Sequence, residues 1–204
     1  MSVLDHLHAN WIYRRRVRRL SEILCEMIPH DCSLLDVGCG DGKLAQLLLQ
    51  KRPDLQIEGV DVLVREQTSV PVKNFDGINL PYPDSSFDGA TLIDVLHHTR
   101  DPLLLLREAA RVSRRWLIVK DHVVQGVAAV WRLRLMDYAA NSPHGVALPY
   151  NYFSRKEWAD LRCALDVKVV AEMTALGLYP KPIDYVFGAG LHFVTLWERT
   201  GRGI

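Results

Sequence analysis

Apolar residues recur at helical spacing near the start of the chain. Tyr13, Val17, Leu20, Leu24 and Met27 follow i, i+3 and i+4 steps, which puts them on one face of a helix that Pro29 ends. Arg14, Arg15, Arg16, Arg18 and Arg19 fill much of the rest and read as its solvated side. A basic helix can also meet an anionic substrate or a membrane surface, and Trp11 and Tyr13 are placed to cover a ligand. The period then changes. Ser33 to Val37 is a short apolar run stopping at glycine, which predicts a buried strand. Lys43 to Lys51 carries Leu44, Leu47 and Leu48 on one side and predicts a helix ended by Pro53. Gln56 to Val60 predicts a second strand ending at Asp61, and Val70 to Phe75 a third, weaker one. Phe87 to Val95 predicts a fourth and Trp116 to Lys120 a fifth. Between these two, Asp101-Pro102 pairs a capping carboxylate with proline at the first helical position, so a helix runs from there to Val112.

Strands alternating with helices imply a parallel sheet covered on both faces, with right-handed crossovers. Two later pieces break the alternation. Val123 to Asn141 predicts one apolar helix, and Ser142 to Tyr152 a loop rich in Pro, Gly and aromatics. Ser154-Arg155-Lys156-Glu157 has capping-box spacing and starts a helix to about Ala164. Val167 to Met173 and Leu191 to Trp197 predict two last strands, joined by a link suited to an antiparallel pair.

Composition narrows the function. The 204 residues suit one domain, and 25 Lys and Arg against 24 Asp and Glu leave a net charge of +1. That balance gives no global attraction to nucleic acid or to an anionic membrane. No apolar run is long enough to span a bilayer, and Met1 to Asn10 lacks the apolar core of a signal peptide. Cys25, Cys32, Cys39 and Cys163 form no C-x-x-C pair, so reduced thiols and a cytoplasmic location are expected.

The chemistry concentrates after the first strand. Leu34-Leu35-Asp36-Val37 is followed by Gly38, Gly40 and Gly42 at alternate positions, and then by a helix. Glycines there permit a tight turn and close approach of a ligand, and the helix start offers N–H donors. A dinucleotide site would place its third glycine at position 43, where this chain has Lys43. That argues against a nicotinamide-dependent oxidoreductase. Asp61, ending the second strand, is placed to accept the hydroxyls of a ribose.

The stretch Asn74-Phe75-Asp76-Gly77-Ile78-Asn79-Leu80-Pro81-Tyr82-Pro83-Asp84-Ser85-Ser86-Phe87-Asp88 and the later Asp94-Val95-Leu96-His97-His98 complete a pattern. With the acidic-x-G-x-G-x-G run from Asp36 to Gly42, the region Leu34 to Lys120 resembles class I S-adenosylmethionine-dependent methyltransferases, of the ubiquinone/menaquinone-like small-molecule type. The resemblance implies a Rossmann-like three-layer sandwich, with a mostly parallel seven-stranded sheet whose final strand is antiparallel. It implies one domain over 1–204, with an N-terminal helix within 1–30 and a helix-loop cap inserted at 123–153. It further implies that S-adenosyl-L-methionine is held by Asp36, Gly38, Cys39, Gly40, Gly42, Asp61, Val62, Asp76, Gly77, Asp94 and Val95, with Asp76 facing the adenine. One departure stands out: only Val62 to Val70 separates Asp61 from the third strand, where the family has a full helix.

The acceptor side is read from position. His122, closing the fifth strand, and His98 are candidate catalytic residues, since strand C-termini line the crevice of such sheets. His144, Tyr150 and Tyr152 in the cap are acceptor-site candidates. No metal is expected; Asp121, His122 and His144 are conceivable ligands without tight ligand spacing. The expected reaction is in-line methyl transfer to a small, largely apolar acceptor, by alignment and exclusion of water. A base is needed only for an acceptor protonated at working pH. A cofactor-binding regulator without turnover is the alternative. A nucleic-acid methyltransferase is disfavoured by the neutral charge and by Asp94 to His98 standing where N-P-P-Y would be.

Overall fold

The computed structural model describes residues 3–126, 128–141, 151–188 and 190–200. Helix α1 (Val3–Met27) precedes β1 (Ser33–Val37), α2 (Lys43–Lys51), β2 (Gln56–Asp61), β3 (Val72–Asn74) and β4 (Phe87–Ile93). A single 3-10 turn (Leu96–His98) and α3 (Pro102–Val112) lead directly into β5 (Ser113–Val124). Then come α4 (Ala129–Asn141), β6 (Phe153–Ser154), α5 (Arg155–Ala164), β7 (Val167–Met173), α6 (Ile183–Phe187) and β8 (His192–Arg199).

The sheet runs β3-β2-β1-β4-β5-β8-β7, with the two-residue β6 beside β5 as an eighth strand. β3, β2, β1, β4 and β5 are mutually parallel, and β8 is antiparallel to both β5 and β7. This is the Rossmann-like sheet expected, with the chain reversing on either side of β1. Such a reversal opens a crevice at the strand C-termini.

Two apolar cores follow from strands buried on both faces. One packs α3 and Trp158 of α5 against Leu35, Leu92, Leu117 and Trp197. The other packs Leu20, Ile23 and Leu24 of α1 and Leu48 of α2 against Leu34, Trp116 and Ile118. Local signals place the helix starts: Asp101 accepts from the amides of Leu103 and Leu104, and Ser154 and Glu157 form the capping box. A Cβ on Gly89 would lie 2.2 Å from the Trp116 ring. Gly89→Ala is therefore expected to overpack the sheet and cost about 1–3 kcal/mol, read as a lower urea midpoint.

The expected boundaries shift in two places. β5 extends to Val124 rather than stopping at Lys120, and the helix predicted from Val123 begins at Ala129. Lys120, Asp121 and His122 are polar yet fully buried, so they masked the strand's continuation. The third strand shrinks to Val72–Asn74. The stretch from Val62 to Val70 forms no helix, as its length implied.

Candidate active site

The glycine loop is built by backbone geometry. Gly38, Gly40 and Gly42 have φ of 71°, 60° and 73°, a region that L side chains avoid. The Gly38 and Cys39 amides both donate to the Val60 carbonyl, tying the loop to β2. A Cβ at Gly38 would strike Val95 Cγ2 at 2.5 Å, whereas Gly40 faces open space. The Asp94-Val95 segment therefore closes against the loop's first glycine, and the second is left clear for a ligand. The Cys39 thiol packs against Gly59, where no side chain fits.

Asp61 braces this loop. Its Oδ2 accepts from the Gly40 amide at 2.8 Å and its Oδ1 from the Leu63 amide at 2.9 Å. Each oxygen retains a second lone pair, which suits it to receive hydroxyls. Beside it, Val62 and Ile78 expose large apolar surfaces, and Val62 approaches Gly77. Asp76 is occupied locally: it accepts from the amides of Ile78 and Asn79 and from the Asn79 side chain, at 2.6–2.8 Å. Those bonds lower its pKa and make it the anchor of its own turn.

Asp36, next to last in β1, is buried at 5% exposure. Thr91 Oγ1 donates to it at 2.8 Å. Burial pushes its pKa up from 3.8 to about 6, opposed by the Thr91 bond, with nearby Asp61 raising it further. Among the described residues no cation lies against it. A buried carboxylate without a counter-charge is costly, and a cationic ligand group would relieve it.

Asp94 is placed otherwise. Its φ is 58°, unusual for a residue with a side chain. Arg16 of α1 binds its Oδ2 at 2.5 Å, and the buried Lys120 ammonium binds its Oδ1. The two cations hold the Asp94 carboxyl well below the usual range despite its burial. Sequence reading took Arg16 as solvated, with the other arginines of α1. The signal was present, since position 16 lies one turn from both Tyr13 and Leu20 on the inward face.

His122 and His98 come together with residues not singled out as catalytic. His97 is 1% exposed and lies 2.6 Å from Asp121 through Nδ1. The His122 ring packs between His97 and His192, with centroids 4.6 and 4.8 Å away. His98 stacks on His97 at 4.0 Å. The Tyr152 ring lies 6.0 Å from the His97 ring and 5.9 Å from the His122 ring. Asn151 fastens the approach, donating to His97 and Thr99 carbonyls. His144 and Tyr150 lie outside the described residues.

Asp94, His97, Asp121 and His122 have potential ligand atoms within 4.8 Å of one another. Their chemistry does not suit a divalent ion. Asp94 is spent on Arg16 and Lys120, and Asp121 accepts from the Leu96 and His122 amides as well as from His97. An added ion would face two fixed cations.

The sequence profile of the methyltransferase domain family matches residues 6–172, most of the chain. The chain belongs to that family. Among curated relatives, the 27-O-demethylrifamycin SV methyltransferase of Amycolatopsis mediterranei (strain S699) is 32% identical over 111 residues, covering 47% of this chain and 40% of the relative. The demethylmenaquinone methyltransferase of Thermotoga maritima is 33% identical over 105 residues, covering 48% and 45%. The chain thus spans less than half the length of these relatives. The structure of the Burkholderia thailandensis 1,6-didemethyltoxoflavin-N1-methyltransferase, with bound 1,6-didemethyltoxoflavin and S-adenosylhomocysteine, superposes with a TM-score of 0.65 at 19% identity over 91% of this chain and 78% of that one. The PH0226 protein of Pyrococcus horikoshii OT3 gives 0.68 at 18% identity over 92% and 91%. These superpositions concern the fold. Among the described residues no helix is long and apolar enough to cross a membrane.

Proposed function

We propose that this domain binds S-adenosyl-L-methionine at the glycine loop and transfers its methyl group to a small, largely apolar acceptor. The observation that carries the reading is Asp36: a buried carboxylate with a raised pKa, beside an open glycine turn and with no described cation against it. The cofactor brings an ammonium and a sulfonium, which answer that unmet charge. Asp61 has lone pairs left for the ribose hydroxyls, and Val62 and Ile78 offer apolar surface for the adenine. Gly38, Cys39, Gly40, Gly42 and Val95 shape the loop around the amino-acid portion, and Gly77 carries the turn beside the ring. Asp76 reaches the adenine amino group only with the lone pairs its turn leaves over. Asp94 contributes its neutralised carboxylate to the wall of the site.

On this reading His122, His98 and Tyr152 form the acceptor side. The names of the relatives, a rifamycin derivative, a demethylmenaquinone and a toxoflavin precursor, support a small organic acceptor. The cysteines Cys25, Cys32, Cys39 and Cys163 are free thiols, which supports a cytoplasmic site of action.

Calorimetric titration with S-adenosylmethionine tests the reading. Binding is expected, and Asp61→Ala should weaken it at least tenfold, since it removes both the ribose acceptor and the brace on Gly40. Unchanged affinity in that variant would sink the ribose assignment. Binding without methyl transfer to any acceptor would make the domain a cofactor-sensing regulator.

A further inference from the structure

The chain from Phe75 to Ser86 joins β3 to β4 outside the sheet. Backbone groups there have no strand ladder and need other partners. The end of α3 supplies them. Glu108 Oε2 accepts from the Leu80 amide at 3.0 Å. Arg111, one turn further on, donates from Nη2 to the Leu80 carbonyl at 3.1 Å and from Nη1 to the Tyr82 carbonyl at 2.9 Å. Both backbone polar groups of Leu80 thus end on two side chains of one helix. The Ser85 amide returns a bond to the Arg111 carbonyl at 2.8 Å.

The Arg111 guanidinium is saturated by these contacts. Its Nε and Nη2 meet the two oxygens of Glu108 at 2.7 Å each, and Nη1 also reaches Asp84 Oδ1 at 2.8 Å. All five N–H groups of the fork are therefore used. A lysine ammonium carries the charge without the planar fork and cannot repeat this pattern. Leu80 is 4% exposed and packs in the same core as Phe75. Between these two fixed points lies the turn that Asp76 anchors through the amides of Ile78 and Asn79. That turn leaves the Ile78 side chain 49% exposed. It also brings Gly77 against Val62, whose Cγ1 lies 3.3 Å from where a Gly77 Cβ would stand. Where Leu80 sits thus decides where Ile78 stands.

We propose that Glu108 and Arg111 are positioning residues for the adenine side of the cofactor site. They fix Leu80 and, through it, hold the Ile78 side chain where it can lie along the base beside Val62. This rests on the cofactor reading above. Neither residue needs to touch the ligand; each acts through the backbone it holds. The cost of misplacing Ile78 falls on cofactor affinity, since the contact is the same in the ground state and the transition state.

The test has two arms, both on the full chain. Without ligand, Arg111→Lys should speed amide hydrogen exchange at Leu80 by about tenfold or more, with exchange in the Gly38 to Gly42 loop unchanged. Unaltered exchange at Leu80 overturns the proposal. In the second arm, calorimetric titration with S-adenosylmethionine should show affinity about tenfold lower in Arg111→Lys. Ile78→Ala should weaken binding in the wild-type chain and add little in the Arg111→Lys chain, because the two act through one contact. Arg199→Met is the control for a merely structural effect. Arg199 holds the Ala110 and Ser113 carbonyls at the same helix end, so its loss should lower the unfolding temperature and leave affinity unchanged. Should Arg111→Lys fail to fold, Glu108→Gln carries the same expectations at unchanged side-chain volume. Additive losses from Ile78→Ala and Arg111→Lys, or an equal loss of affinity in Arg199→Met, overturn the proposal and leave the methyl-transfer reading standing. A wild-type chain that does not bind S-adenosylmethionine overturns both.

Discussion

Asp94→Ala is expected to destabilise the protein by about 3–5 kcal/mol, the range for removing one partner of a buried pair. Lys120 has no exposed surface, and its described partners are Asp94 and His192 Nδ1 at 3.3 Å. Burial lowers the Lys120 pKa, and Asp94 is the largest influence opposing that loss of charge. Without the carboxylate, the ammonium stays in the sheet uncompensated or gives up its proton, and either outcome costs free energy. Arg16 would also lose its hold on the end of β4, so α1 should loosen. A second substitution decides the cause. Lys120→Met in the Asp94→Ala background should regain much of the loss, because it removes the stranded charge and keeps the volume. Thermal and urea unfolding of the two variants give the answer, and equal losses in both would mean that the left-handed turn at Asp94, rather than its charge, sets the stability.

That network was the part of the molecule least legible in the sequence. The succession of strands and helices and the glycine loop follow from local patterns: apolar runs that stop at Gly38 or Asp61, and a cap at Asp101. These signals need only near neighbours. Lys120, Asp121 and His122 look like a polar strand end, because a one-dimensional pattern shows each charge without its partner. The partners come from α1, the turn after β4 and β8, far apart in sequence. The same reason hid Arg16 among five arginines. The positions of Asp61 and Asp36 beside the glycine turn were legible because each lies at a strand end that the apolar runs mark. Asp76 shows the limit of that logic. Its Asp-Gly step is also a turn signal, and the structure uses it as one.

Asp36→Asn should stabilise the protein and weaken cofactor binding at the same time. The folded-state pKa of about 6 lies above the ordinary 3.8, so the native protein binds more protons than the unfolded chain between those values. Linkage then gives stability that falls as pH rises through that window and levels off above about 6. The shift corresponds to about 3 kcal/mol of cost at neutral pH. The amide has no charge to desolvate and can still accept from Thr91. The wild-type protein should therefore lose stability from pH 4 to pH 6 in excess of the variant, and the variant should be the more stable at pH 7. Cofactor affinity should move the opposite way, falling as the charge that meets the ammonium is lost. Saturating S-adenosylmethionine should narrow the gap between the two unfolding temperatures, because only the wild type recovers its cost by pairing Asp36 with a cation. A variant that is no more stable at pH 7, or that binds as tightly as the wild type, would show that Asp36 is a structural acid satisfied by Thr91 and that the cofactor's charge is met elsewhere.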